Sequence, residues 1–247
     1  MISLHKLLSL VPMLFLTGTI ASLNASQLVD NLKAGKDQVV VVYGTSLTEG
    51  GAWVAQLGQW LNSQGFPGKA TVINKGVGGS TTVSHGIKDF DRDVMEQKPD
   101  TIIIEFGMND CIRRLADPNA NPPRLEDQSQ AAVPLEQFHK NLVTMLERLR
   151  KELPATEVFL MTMNPAFDST PTPNSGKYRE ALSDYYQKIR DIGAAKTVHV
   201  IDIYPEWLAL QKADPAKLKV FIPDGVHPTT AGNEAITTPA IKAALTR

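Results

Sequence analysis

Residues 38–50, QVVVVYGTSLTEG, run four valines and a tyrosine without interruption into Gly44-Thr45-Ser46. A β-branched run of this length, with no polar alternation, reads as a strand covered on both faces, the situation of a central strand in a parallel sheet. Its exit through glycine and small hydroxyl residues leaves Ser46 at the carboxyl end of the strand. Open α/β sheets bind their ligands there, so Ser46 is the candidate nucleophile around which the remaining residues are read.

Four further runs have strand character: residues 71–74 (TVIN), 101–105 (TIIIE), 157–161 (EVFLM) and 199–203 (HVIDI). Helical patterns separate them. Trp53, Leu57, Trp60 and Leu61 recur three to four apart, which predicts a helix over 52–64 ended by Gly65 and Pro67-Gly68. Leu135, Phe138, Leu142, Met145, Leu146, Leu149 and Leu153 form one apolar stripe of a packing helix. Helices are also expected over 178–192 and 230–245, the latter with Pro239 as a kink point, whereas 26–37 reads as a polar surface segment. Strands alternating with helices predict an α/β fold: a three-layer α/β/α sandwich around a parallel five-stranded sheet with right-handed crossovers.

The 247 residues, 43% hydrophobic and 21% charged, suit one buried domain. A formal charge of −1 gives no basic surplus, which argues against nucleic acid as a partner. Residues 1–25 combine Lys6, a long apolar run and then small residues, the pattern of a secretory signal peptide. The expectation is a leader over 1–25, a single domain over 26–247, and a secreted or periplasmic protein. An uncleaved anchor is the alternative, since residues 7–23 approach a span of about 20 residues. No second stretch is long enough to cross a bilayer, so no stable membrane insertion is expected after leader removal. Cys111 is the only cysteine, so no intramolecular disulfide forms and no cysteine near the amino terminus offers a lipid anchor. Oligomeric state is not legible.

Gly76-Val77-Gly78-Gly79-Ser80-Thr81 follows the second strand. It lacks the final glycine of a dinucleotide fingerprint and the G-K-[ST] of a phosphate loop, leaving a structural turn or an anion-stabilising loop. The third strand exits into Phe106-Gly107-Met108-Asn109-Asp110, then into 111–134, which is rich in Asn, Pro, Gln and Asp and too long for a routine connection. It is the first candidate for a substrate-shaping loop; 164–177 is a second long polar loop. Asp224-Gly225-Val226-His227 lies between Pro223 and Pro228.

In their order, Gly44-Thr45-Ser46, Gly76–Thr81, Gly107–Asp110 and Asp224–His227 resemble the blocks of the SGNH hydrolases, also called GDSL esterases and lipases. The resemblance spans 39–232. It implies a flavodoxin-like sheet, Ser46 as nucleophile, the amide of Gly79 and the side chain of Asn109 as oxyanion donors beside the amide of Ser46, His227 as general base and Asp224 as its orienting acid. No cofactor or metal is implied. One departure is plain: the family usually has Gly-Asp-Ser where this chain has Gly-Thr-Ser.

The chemistry requires the same residue types. A serine hydroxyl becomes an effective nucleophile only when an imidazole takes its proton, and the imidazole needs a carboxylate to fix its tautomer. His85, directly after the glycine loop, is a further candidate for lining the pocket, and Cys111 reads as a small buried side chain. Three rivals fit less well. An α/β-hydrolase elbow needs glycine where Thr48 stands, an inactive carbohydrate-binding module would not need the full set of reactive residues, and a metal hydrolase needs more ligands than Asp224-x-x-His227. The expected substrate is a small-molecule or carbohydrate ester with a short acyl group such as acetyl. Lysophospholipase, lipase or thioesterase action on longer chains is the alternative.

Overall fold

The computed structural model describes residues 26–114, 130–170 and 172–246. The expected leader and most of the expected substrate-shaping loop, residues 115–129, lie outside the described residues. Five strands, β1 (Gln38–Gly44), β2 (Ala70–Gly76), β3 (Thr101–Glu105), β4 (Glu157–Thr162) and β5 (His199–Asp202), form one all-parallel sheet in the order β2-β1-β3-β4-β5. This is the flavodoxin-like order. Every residue of β3 is buried, with Ile102, Ile103 and Ile104 at most 1% exposed. Burying one such side chain contributes about 1.5–3 kcal/mol, against a strand-propensity scale that spans only about 1 kcal/mol. Burial therefore sets this strand.

The helices are α1 (Gln27–Lys33), α2 (Ser46–Glu49), α3 (Ala52–Ser63), α4 (Phe90–Asp93), α5 (Leu135–Glu152), α6 (Leu182–Lys196), α7 (Tyr204–Ala213), α8 (Pro215–Phe221), α9 (Thr230–Gly232) and α10 (Thr238–Leu245). Right-handed crossovers decide their layers. The step from β1 out to β2 places α3 on one face, and the steps that then run through β3, β4 and β5 place α5 and α6 on the other. Contacts agree: α10 packs on α3, and α5 packs on α6. No helix among the described residues is long and apolar enough to cross a membrane.

Several elements differ from expectation for identifiable reasons. Residues 26–37 contain α1, which buries Leu28, Val29 and Leu32 while Lys33 faces solvent. The Glu157 carboxylate of β4 accepts from Gln27 N at 2.9 Å and Leu28 N at 3.1 Å, filling the donors that every helix start leaves open. The helix expected over 178–192 begins at Leu182, after a 3₁₀ turn at Lys177–Arg179. Residues 204–221, not expected to be regular, hold α7 and α8. Each has a proline in its first turn, where the missing N–H costs no hydrogen bond. The expected last helix is divided by a π turn at Asn233–Thr237, and Pro239 lies in the first turn of α10, so that it starts a helix instead of kinking one.

The α6 layer approaches β5 through Gly193, where an added Cβ would lie 2.2 Å from Val200 Cγ2 and 3.1 Å from the Val198 carbonyl. Alanine there gains about 1 kcal/mol of helix propensity but overpacks a stiff β-branched neighbour, at a cost of about 1–3 kcal/mol. Gly193→Ala is expected to lower the unfolding free energy in urea; a variant more stable than the wild type would show that Val200 yields at little cost.

Candidate active site

The turn that carries Ser46, the candidate nucleophile, is built where β1 meets its neighbours. Gly44 pairs with Gly76 across the β1–β2 edge, and both positions exclude a side chain. A Cβ at Gly44 would sit 2.4 Å from the Glu105 carbonyl, and one at Gly76 would sit 2.2 Å from Glu49 N. With no side chains there, the chain turns directly into α2, whose first residue is Ser46. Thr45 caps that helix, its hydroxyl accepting from Leu47 N at 3.2 Å.

Beneath the turn lies Glu105, the last residue of β3 and completely buried. Its Oε2 accepts from Thr45 N at 3.0 Å, Thr45 Oγ1 at 2.9 Å and Thr48 Oγ1 at 2.9 Å, while its Oε1 has no partner. Burial pushes the Glu105 carboxyl up to about 7, against the opposing pull of those three donors. Asp110 is also buried and is pushed up by burial to about 6. Its Oδ1 accepts from Thr82 N at 2.8 Å and Thr82 Oγ1 at 2.6 Å, and its Oδ2 from Gly107 N at 3.1 Å.

Residues far apart in the chain meet above this base. Ser46 Oγ is 2.8 Å from His227 Nε2, and His227 Nδ1 is 2.6 Å from Asp224 Oδ2. The second carboxylate oxygen of Asp224 accepts from Val226 N at 2.9 Å and His227 N at 2.7 Å. Partial burial would raise the Asp224 carboxyl, but the hydrogen bonds from His227 and Val226 outweigh it and hold the group below its ordinary value. His227 is about half exposed, at 48%, so the chain opens to solvent at its imidazole.

The oxyanion candidates surround the same serine. Gly79 has φ +70°, a left-handed conformation with open space where a Cβ would point; Gly78, at negative φ, has its Cβ position 4.0 Å from Ser46 Cβ. Asn109 is 7% exposed and donates from Nδ2 to the Ser80 carbonyl at 2.9 Å. That bond uses one of two amide protons and ties the third strand's exit to the glycine loop. As the first residue of α2, Ser46 has an N–H without an intrahelical partner.

The family model described as the GDSL-like lipase/acylhydrolase family matches residues 42–235. The chain belongs to this family. Its members are ester hydrolases, and the all-parallel sheet described above agrees with the solved relatives. A catalytic mutant of Axe2, an acetylxylan esterase from Geobacillus stearothermophilus, superposes with a TM-score of 0.66 at 21% identity, covering 86% of this chain and 96% of that one. A lipase/acylhydrolase from Enterococcus faecalis gives 0.61 at 23% identity, covering 83% and 93%. The acetyl xylan esterase AlAXEase gives 0.65 at 20%, covering 84% and 99%. At these identities the likeness is one of fold. In sequence, the uncharacterized lipoprotein YqeF of Bacillus subtilis (strain 168) is 30% identical over 154 residues, 60% of this chain. The chain matches only 55% of that protein's length.

Within this GDSL-like hydrolase, His85 departs from its reading as a pocket-lining candidate: it is 2% exposed and packs against the Tyr43 ring. Its Nε2 faces the Lys75 carbonyl at 3.0 Å and its Nδ1 faces Asp89 at 3.1 Å. His85, Asp89 and Asp93 have the donor types of a metal site. Arg92 and Lys75 already neutralise the acids, however, at 2.6 and 3.2 Å from Asp93. Cys111 is fully buried. Sequence reading passed over Glu105 and Asp110 as individual residues. The available signal at Glu105 was a carboxylate closing an otherwise apolar strand.

The raised carboxyl of Glu105 has a signed consequence. The folded state holds that proton more tightly than the unfolded chain, so the associated stability is full below the ordinary value of 4.5 and is lost as pH rises toward about 7. The shift corresponds to roughly 3 kcal/mol. Glu105→Gln is expected to remove this contribution, so urea unfolding should show the wild type losing stability relative to the variant across that window. Parallel pH curves would show that Glu105 does not titrate there.

Proposed function

We propose that this hydrolase cleaves esters by two-step acyl transfer through Ser46, His227 and Asp224. The observation that carries the reading is the unbroken hydrogen-bonded chain from Asp224 Oδ2 through both nitrogens of His227 to Ser46 Oγ. His227 takes the Ser46 proton as Oγ attacks the ester carbonyl carbon, and then gives that proton to the departing alcohol. Water, deprotonated by the same imidazole, attacks the acyl-serine; the acid leaves and Ser46 regains its proton. Asp224, accepting from Nδ1–H, fixes the tautomer and stabilises the transient imidazolium. The amides of Ser46 and Gly79 and the Asn109 carboxamide stabilise charge on the carbonyl oxygen, in the manner of an oxyanion hole.

For the substrate, we favour short acyl groups, acetyl above all, on a carbohydrate. Support comes from a cavity of about 570 Å³ that borders the Asp224 loop at Pro223 and whose lining sets the polar side chains of Asp168, Ser169, Thr170, Asn174 and Lys219 beside Pro173. The two acetylxylan esterases among the fold relatives act on such esters. A second reading, longer acyl chains, draws on Val77 and Val83, which are 40% and 50% exposed beside the glycine loop. Export through the amino-terminal leader fits a polymeric substrate outside the cell.

Hydrolysis of p-nitrophenyl esters from acetate to palmitate tests both levels. Ser46→Ala and His227→Ala should each abolish turnover, and the double variant should lose little more, because residues of one relay act as a unit; strictly additive losses would count against a shared mechanism. The chain-length optimum separates the acetyl reading from the long-chain one. Asn109→Ala should lower kcat by about 10²–10³-fold with little change in KM. A raised KM at unchanged kcat would make Asn109 a substrate-binding residue instead.

A further inference from the structure

Three carbonyls of the loop that carries Asp224 and His227 are held by one segment outside it. Asn164 Nδ2 donates to the Val226 carbonyl at 2.8 Å, Phe167 N donates to the Gly225 carbonyl at 3.0 Å, and Thr172 Oγ1 donates to the Asp224 carbonyl. Three consecutive carbonyls of the acid–base loop thus find their donors between residues 164 and 172, in the connection from β4 to α6. The two backbones touch: Gly225 has φ +75°, and a Cβ there would lie 1.9 Å from the Phe167 carbonyl oxygen.

The hydrogen bonds that Asp224 makes to Val226 N, His227 N and His227 Nδ1 lie inside the loop. They give it shape but move with it, so they cannot fix its height above Ser46. Asn164 can. It is 0% exposed, spends its other amide proton on the Pro165 carbonyl at 3.0 Å, and leaves Oδ1 without a partner. A buried carboxamide with an orphaned acceptor is a costly choice for packing alone. What it supplies is a rigid donor at one end of the acid–base loop, matched by the Thr172 hydroxyl at the other.

We propose that Asn164 and Thr172 are positioning residues that set the acid–base loop at the height where His227 Nε2 meets Ser46 Oγ. The inference rests on the proposed relay and adds to it the part of the fold that aims it. A relay with contacts of 2.6 and 2.8 Å has little slack, and a displacement of about 1 Å can cost about 100-fold in rate.

The test uses Asn164→Asp, which keeps the shape but loses both donors, and Thr172→Val, which loses only the hydroxyl. Both are assayed on p-nitrophenyl acetate beside the wild type and Ser46→Ala. Proton NMR follows the far-downfield resonance of the His227 Nδ1–H. For Asn164→Asp, kcat should fall about 100-fold with KM little changed and the resonance shifted or lost. Thr172→Val should show a smaller loss in the same parameter. A merely structural role would lower thermal stability but leave kcat of the folded protein and the resonance in place. That outcome in either folded variant, with Ser46→Ala inactive, overturns the positioning role while leaving the relay standing. Turnover retained in Ser46→Ala would instead overturn the relay and the inference with it. Should Asn164→Asp fail to fold, Thr172→Val decides.

Discussion

The carboxyl edge of the sheet depends on how β3 ends. Glu105 receives three donors from the Ser46 turn that follows β1, and four and five residues later Asn109 and Asp110 take up Ser80 and Thr82 from the segment that follows β2. One short exit therefore fixes two neighbouring loops at once. The fixing is expensive, because a carboxyl with an orphaned oxygen in a dry site costs free energy that packing alone would never require. Such a clamp is worth its cost only where the held atoms must not drift, and the atoms held here flank Ser46.

Sheet topology explains why so few contacts suffice. In a parallel sheet with order β2-β1-β3-β4-β5, all five carboxyl ends share one edge, and the chain reverses direction in strand order at β1, which opens a crevice between the loops of β1 and β3. The exits of β1, β2 and β3 are bound together by side chains of β3's loop. The fourth exit reaches past its own neighbours to hold residues 224–226, which arrive from the end of the chain after α8. Serine and histidine are thus anchored through different strands, and their 2.8 Å contact depends on both anchors keeping their places.

Much of this was legible in the sequence, for physical reasons that also mark the limit. The five strands could be read because apolar β-branched runs have one stable use, and the long stripe of α5 because its spacing admits one face. The flavodoxin-like order came from the family resemblance, since strand order leaves little trace in periodicity. Residues 27–33 and 204–221 were not recognised as helical: the first is one short stretch, the second is broken by Asp214-Pro215, and what stabilises them is remote, Glu157 for α1 and the packing of Trp207 and Leu218 for α7 and α8. At the site, Ser46, Gly79, Asn109, Asp224 and His227 stood out because they fall in short blocks. Glu105, Asn164 and Thr172 did not, because each acquires meaning only through a partner more than fifty positions away.

Threonine at position 45 is best understood from the carboxyl beneath it. The Thr45 hydroxyl donates to Glu105 Oε2 and accepts from Leu47 N, so one small group serves the clamp and the helix cap together. An aspartate could cap the helix but, when ionised, could only accept. It would set a second negative charge against a fully buried one, and one of the two carboxyls would have to retain a proton. With threonine, the turn itself sets no second carboxyl against Glu105, and the three groups it bonds through Oε2 are all donors. The departure from Gly-Asp-Ser therefore alters how the nucleophile turn is held down and leaves Ser46, His227 and Asp224 in contact above it.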